Sequence, residues 1–136
     1  MQVYKKILVT VDGSSADKRI LEHVTLLAQQ NKAKVILLHV VHSHTLDQER
    51  ALREKAMSLL EPYRDKMKER NVNVEVKIRS GEPEKEILQE VLNGNYDLVA
   101  MGTHGHKLFG DLLYGSVSET LKHKIRIPLL LIKAEN

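Results

Sequence analysis

The sequence of 136 residues has no cysteine and no tryptophan, one phenylalanine and three prolines. Without cysteine there can be no disulfide framework, thiolate metal site or cysteine nucleophile, and a cytoplasmic setting is the expectation. No apolar run approaches the length that spans a bilayer. Aromatic residues make up only 4% of the chain, so binding nucleic acid by base stacking lacks its usual platform. The opening Met1-Gln2-Val3-Tyr4-Lys5-Lys6-Ile7 runs straight into an apolar, strand-like stretch, with no room for a signal h-region. Neither nucleic acid nor a membrane is therefore an expected partner, and aliphatic side chains must build the core.

What is present fits one compact domain over residues 1–136. The formal net charge is +3, with 29% charged residues spread along helix-like segments and read mainly as solvated faces. The tightest basic group, Lys122-His123-Lys124 with Arg126, falls at a predicted helix C-terminus, where cations complement the helix dipole.

Five short apolar runs, 6–11, 34–41, 73–78, 97–101 and 128–132, alternate with longer helical patterns, the mark of a parallel sheet covered on both faces. The third run alternates apolar and polar residues, which predicts one solvated side or a sheet edge. Ile20, Leu21, Val24, Leu27 and Ala28 give the first helix, with Ser14 or Ser15 as its cap. Leu52, Ala56, Leu59, Leu60, Tyr63 and Met67 give the second, and Pro62 within it predicts a kink or irregular turn. Pro83 suits the first turn of a third helix that ends at Gly94. Ser116 and Glu119 have capping-box spacing, so the last helix is expected to begin at Ser116. The pattern defines a doubly wound α/β fold and leaves its strand order open.

In such a sheet, ligands bind beyond the carboxyl ends of the strands where the strand order reverses. Asp12, Val40 and Gly102 fall at such ends. Asp12 can accept ribose hydroxyls or help hold a metal ion there, and an ordinary turn or N-cap role is its alternative. Gly102-Thr103-His104-Gly105 is followed, after nine residues, by Gly115-Ser116. Glycines after a strand, followed by a capped helix start, are the context in which backbone N–H groups cradle a phosphate. The connection between them, with Gly110 inside it, is expected to be a loop that orders over phosphates. No Gly-Lys-Ser/Thr ending makes a Walker A loop, and Gly-x-Gly-x-x-Gly is absent after the first strand. His39, His42, His44, His104 and His106 show no known metal-ligand spacing and read as loop or surface residues, with His104 a candidate phosphate donor.

Met101-Gly102-Thr103-His104-Gly105, with the spacing to Gly115-Ser116-Val117, closely resembles the Gly-2x-Gly-9x-Gly-Ser/Thr signature of the universal stress protein family. Lys6-Ile7-Leu8-Val9, Asp12-Gly13-Ser14, Leu37-Leu38-His39-Val40, Gly81-Glu82-Pro83, Tyr96-Asp97-Leu98-Val99 and the terminal Ile127 to Ile132 extend that resemblance along the chain. It implies a Rossmann-like fold of the adenine nucleotide α hydrolase type, with strand order 3-2-1-4-5. It also implies a homodimer joined through Leu129, Leu130, Leu131 and Ile132. By position, Asp12 would meet the ribose or a metal, Val11 and Val40 would flank adenine, and Met101 and Gly102 would lie beneath ribose and phosphates. Gly105, Gly115, Ser116 and Val117 would hold the phosphates. Thr10, where many relatives have proline or alanine, would alter the adenine side slightly.

The resemblance implies an ATP-binding regulatory protein of the stress response, also taking AMP or ADP, with Mg²⁺ or Mn²⁺ bridging phosphates. Nucleotide-dependent conformation and dimerisation would be its output. It is not expected to be a dedicated enzyme, although slow ATP hydrolysis or autophosphorylation stays open. The alternatives are a nucleotide-hydrolysing or nucleotidyl-transferring enzyme on the same fold, disfavoured by the absence of an early His-x-Gly-His or Ser-Gly-Gly-x-Asp motif, and a nucleotide-free dimeric scaffold.

Overall fold

The computed structural model describes the backbone of residues 3–103 and 109–134, and their side chains except those of 109–116. The elements are β1 (Lys6–Thr10), α1 (Ala16–Asn31), β2 (Lys34–Val41), α2 (Leu46–Glu69) and β3 (Asn73–Ser80), followed by α3 (Pro83–Asn93), β4 (Leu98–Thr103), α4 (Phe109–Lys124) and β5 (Leu129–Lys133). All pairings are parallel, in the order β3-β2-β1-β4-β5.

Period-two alternation divides the central strands between two cores. Ile7, Val9 and Val11 join Val35 and Leu37 beneath α1 and α2, where Ile20, Val24, Leu60 and Met67 complete the packing. Leu8, Ile36, Leu38, Val99 and Met101 face the other way, onto Ile87, Val91, Val117 and Leu121 of α3 and α4. Each core is sealed by a sheet face and a helix pair, so the central strands are apolar on both sides.

The alternating run became β3, at one edge of the sheet, with Val74 buried and Asn73, Glu75 and Lys77 exposed. β5 is the opposite edge, and Leu131 on it is 46% exposed. α2 passes through Pro62 without interruption. Pro62 and Ser58, whose carbonyl loses its partner, are both exposed, so water can satisfy that group, while Ala56, Leu60 and Met67 anchor the turns on either side.

α4 departs from expectation more strongly. It begins at Phe109, not at Ser116, so Gly110, Gly115 and Ser116 lie within the helix and the Ser116–Glu119 pair is not a cap. Leu113, Val117 and Leu121 continue one i, i+4 face upstream, and two glycines cost only about 1 kcal/mol each against that continuation.

Candidate functional site

Thr10 pairs with Leu38 of β2 and with Met101 of β4, so three central strands finish side by side. Beyond Thr10 the chain turns through Asp12 and Gly13 into α1. Gly13 has a φ of +84°, a left-handed conformation in which a Cβ is strained. Asp12 Oδ1 accepts the Ser14 N–H at 2.9 Å, closing a turn on its own side chain and leaving Oδ2 without a partner among the described residues.

The turn is held from beneath by Asp17, in the first turn of α1. Its carboxylate accepts the N–H groups of Gly13 at 2.7 Å and Asp12 at 3.3 Å, and the hydroxyl of Tyr63 from α2 at 3.1 Å. Asp17 is only 3% exposed. Burial, reinforced by the neighbouring Asp12 charge, pushes its carboxyl up to about 6 despite these hydrogen bonds. Burial and the Asp17 charge in turn push the Tyr63 phenol up to about 12. The sequence pattern did not single out Asp17, because an acid in a first helical turn is expected on dipole grounds alone.

Val11 is buried, and its backbone is engaged: its N–H donates to Leu38 O at 3.0 Å and its carbonyl lies 2.8 Å from His39 Nδ1. A carbonyl only accepts, so His39 donates from Nδ1 and its Nε2 is left for other partners. His39 is thus a clamp on the end of β1, a role that metal-ligand spacing could not suggest. His42 Nδ1 lies 3.2 Å from Gly81 O, and its ring meets His44 edge-on at 5.3 Å.

Val40 stands at an open edge. Lys34 N–H bonds Lys5 O at 2.9 Å and Val11 N–H bonds Leu38 O, so alternate residues of β2 turn their backbone groups toward β1. Val40 is next in that series after β1 has ended opposite Leu38, and its N–H and C=O on that side open past the strand. Asp12, His39, Val40 and Lys55 of α2 line a cleft of about 260 Å³ at this point.

On the other side of β1, Thr10 is 2% exposed and its Oγ1 has no hydrogen-bond partner among the described residues. Such an orphan is unusual, since buried hydroxyls are nearly always paired. Met101 is fully buried in the α3/α4 core. Gly102 is buried too, and a Cβ there would stand 2.7 Å from Ala16 Cβ. Close packing of α1 on β4 is therefore reason enough for this glycine. Val117 is buried against the same core as Met101, so only its backbone can reach a ligand.

Gly105, His104 and His106 lie outside the described residues. Gly115 and Ser116 are described as backbone within α4, where interior N–H groups are committed to carbonyls one turn back. The structure thus gathers Thr10, Val11, Asp12, Val40, Met101 and Gly102 at the strand ends, and gives Gly115 and Ser116 helical surroundings in place of a helix start. Among the described residues, no three histidine or acidic side chains converge as a metal cluster.

These features define a doubly wound, Rossmann-like α/β protein with a polar crevice at the carboxyl ends of its central strands. The model of the universal stress protein family matches residues 3–133, and the chain belongs to that family. It is 26% identical to universal stress protein YxiE of Bacillus subtilis, over 96% of this chain and 100% of that protein. The solved structure of MJ0577, a universal stress protein of Methanocaldococcus jannaschii, superposes with a TM-score of 0.85 at 29% identity, covering 98% of this chain and 99% of that one. A universal stress protein family protein from Arabidopsis thaliana, solved with AMP bound, superposes with a TM-score of 0.72 at 26% identity, covering 96% and 92%.

Proposed function

We propose that this crevice binds an adenine nucleotide, ATP in its regulatory state with AMP or ADP as alternatives, and that occupancy sets the surface and dimer state shown to partners. The observation that carries the reading is the set of polar groups at the ends of β1 and β2 that have no partner among the described residues: the Thr10 hydroxyl, Asp12 Oδ2 and the outer backbone edge of Val40. These groups fit a nucleoside, with hydroxyls for Asp12 and a base edge carrying both donor and acceptor for Val40. The AMP-bound Arabidopsis relative supports the ligand class.

Asp12 is the residue that would share a Mg²⁺ or Mn²⁺ ion with the nucleotide phosphates, the ion neutralising phosphate charge. Gly105, Gly115, Ser116 and Val117 are proposed to meet the phosphates through their backbone. For Gly115 and Ser116 this requires the helical turns before them to open, since their N–H groups lie inside α4. The half-exposed β5 edge, with Leu129, Leu130, Leu131 and Ile132, is the proposed seam of a homodimer, because an apolar open edge invites strand pairing. The regulatory setting is taken to be the cytoplasm.

Calorimetric titration with ATP, ADP, AMP, cyclic AMP and GTP tests the reading. Saturable binding of adenine nucleotides that weakens about tenfold or more in Asp12→Ala is expected, since a charge-assisted hydrogen bond is lost. No heat from any nucleotide at millimolar concentration would overturn it. Hydrogen exchange adds a second measurement: ATP should alter amide protection at 109–116, and identical exchange with and without ATP would remove Gly115 and Ser116 from the site.

A further inference from the structure

Among the described residues, a second cavity lies away from the crevice. A groove of about 330 Å³ runs between α1 and α2, on the face away from α3 and α4, and its volume lies within the range of small-molecule sites. Its construction follows from helical spacing. Leu21 and Thr25 on α1, and Tyr63 and Met67 on α2, are two i, i+4 pairs that form its floor. Leu21, Thr25 and Met67 are 8%, 3% and 3% exposed, and the Thr25 hydroxyl is spent on Leu21 O at 2.6 Å, so the floor presents carbon.

The rim repeats the spacing with charge. Lys18 and Glu22 stand on α1, Lys66 stands on α2, and Arg70 lies just past its end. All four are exposed. Among the described residues, no carboxylate lies within ion-pair reach of Lys18, Lys66 or Arg70. An apolar trough edged by three unpaired cations and one acid complements a molecule with a hydrocarbon body and a single negative head.

We infer that the α1/α2 groove is a second ligand site, distinct from the nucleotide crevice, that takes a medium-chain carboxylate. The chain lies along the Leu21, Tyr63 and Met67 floor, and the carboxylate meets the Lys66 and Arg70 side of the rim. Two wall residues tie this site to the Asp12 turn. Tyr63 donates its hydroxyl to Asp17, which holds the Asp12 and Gly13 N–H groups, and Ser14, also in the wall, donates its N–H to Asp12 itself. A chain lying against Tyr63 is therefore two hydrogen bonds from the backbone that presents Asp12.

The test is titration of the full chain with octanoate, decanoate, decanol and acetate, followed by calorimetry and by amide resonances. Decanoate should saturate below its micellar concentration, and each two-carbon extension should tighten binding roughly fifteenfold, from about fourfold per buried methylene. Decanol should bind about tenfold more weakly, and so should decanoate to the double variant Lys66→Glu with Arg70→Glu, whose exposed positions leave the fold intact. The Asp12 and Gly13 amide resonances should shift on saturation. Failure of decanoate to saturate, equal affinity for decanoate and decanol, or an unchanged affinity in the double variant would each overturn the site. Decanoate-induced amide shifts centred on residues 39–42 and absent from α1 and α2 would place it in the crevice and overturn it equally.

Discussion

Replacing Asp17 with asparagine should change how the stability of the fold responds to pH. The Asp17 carboxyl titrates near 3.8 in an unconstrained chain and is pushed up to about 6 by burial and by Asp12 in the folded protein. Between those two values the folded state holds a proton that the unfolded state has released, so stability falls as pH rises through the window. The contribution is fully present below about 3.8 and is gone once the folded carboxyl has ionised above about 6. A shift of roughly two units at about 1.4 kcal/mol per unit amounts to about 3 kcal/mol.

Asparagine does not titrate, so the stability difference between wild type and Asp17→Asn reports Asp17 together with its coupling to Asp12. Other acids, including the buried Glu90, are common to both proteins and cancel. Urea unfolding followed by far-ultraviolet circular dichroism, from about pH 4 to about pH 8 in the presence of chelator, gives the difference at each pH. Relative to the variant, wild type should gain about 2.5 kcal/mol on going from the alkaline to the acid end, most of the full shift. Parallel curves would refute the reasoning, because they would mean that Asp17 has the same proton affinity folded and unfolded.

Gly102→Ala should destabilise the protein by about 1–3 kcal/mol in denaturant titration, because the new Cβ meets Ala16 at 2.7 Å between two packed backbones; Ala16→Gly should recover part of the loss. Tyr96→Phe removes the 2.6 Å hydrogen bond to Glu90, which keeps Lys77 and Arg79, so a loss of about 1.5–3 kcal/mol in the same titration is expected. Leu131→Arg places a charge on the open β5 edge and should convert the proposed dimer to monomer in sedimentation at micromolar concentration, without lowering the monomer's unfolding midpoint.

The sheet was legible because its signals are local and redundant. Five apolar runs separated by 3.6-period patterns have few other ways to bury both faces, and the alternation of Val74, Val76 and Ile78 marked β3 as a strand with a solvated side or at a sheet edge before any pairing was known. Strand order was not legible from periodicity and came from family resemblance alone. Asp12 and Val40 were legible as strand ends, whereas Asp17, Tyr63 and His39 were not. Their roles depend on contacts 46 residues apart for Tyr63 and Asp17, and 28 apart for His39 and Val11, and no spacing rule connects such partners. Gly102 was legible only as a site glycine, and the packing of Ala16 against it, which requires a glycine independently of any ligand, was not.

Ser116 illustrates how one motif supports two local structures. Ser-x-x-Glu ahead of an apolar face reads as a helix start, yet the same four residues fit a helix interior when the upstream face continues, as Leu113 does here. Which state prevails depends on small terms. The glycines at 110 and 115 weaken the upstream turns by about 1 kcal/mol each relative to alanine, so opening them costs less than opening an ordinary helix end. A phosphate bound at Ser116 would regain several charge-assisted hydrogen bonds and the favourable N-terminal dipole in exchange. Under the proposed phosphate role, the signature glycines would do more than make room for an anion: they would keep the helical and the anion-binding arrangements of this segment close in free energy, so that ligand occupancy could choose between them.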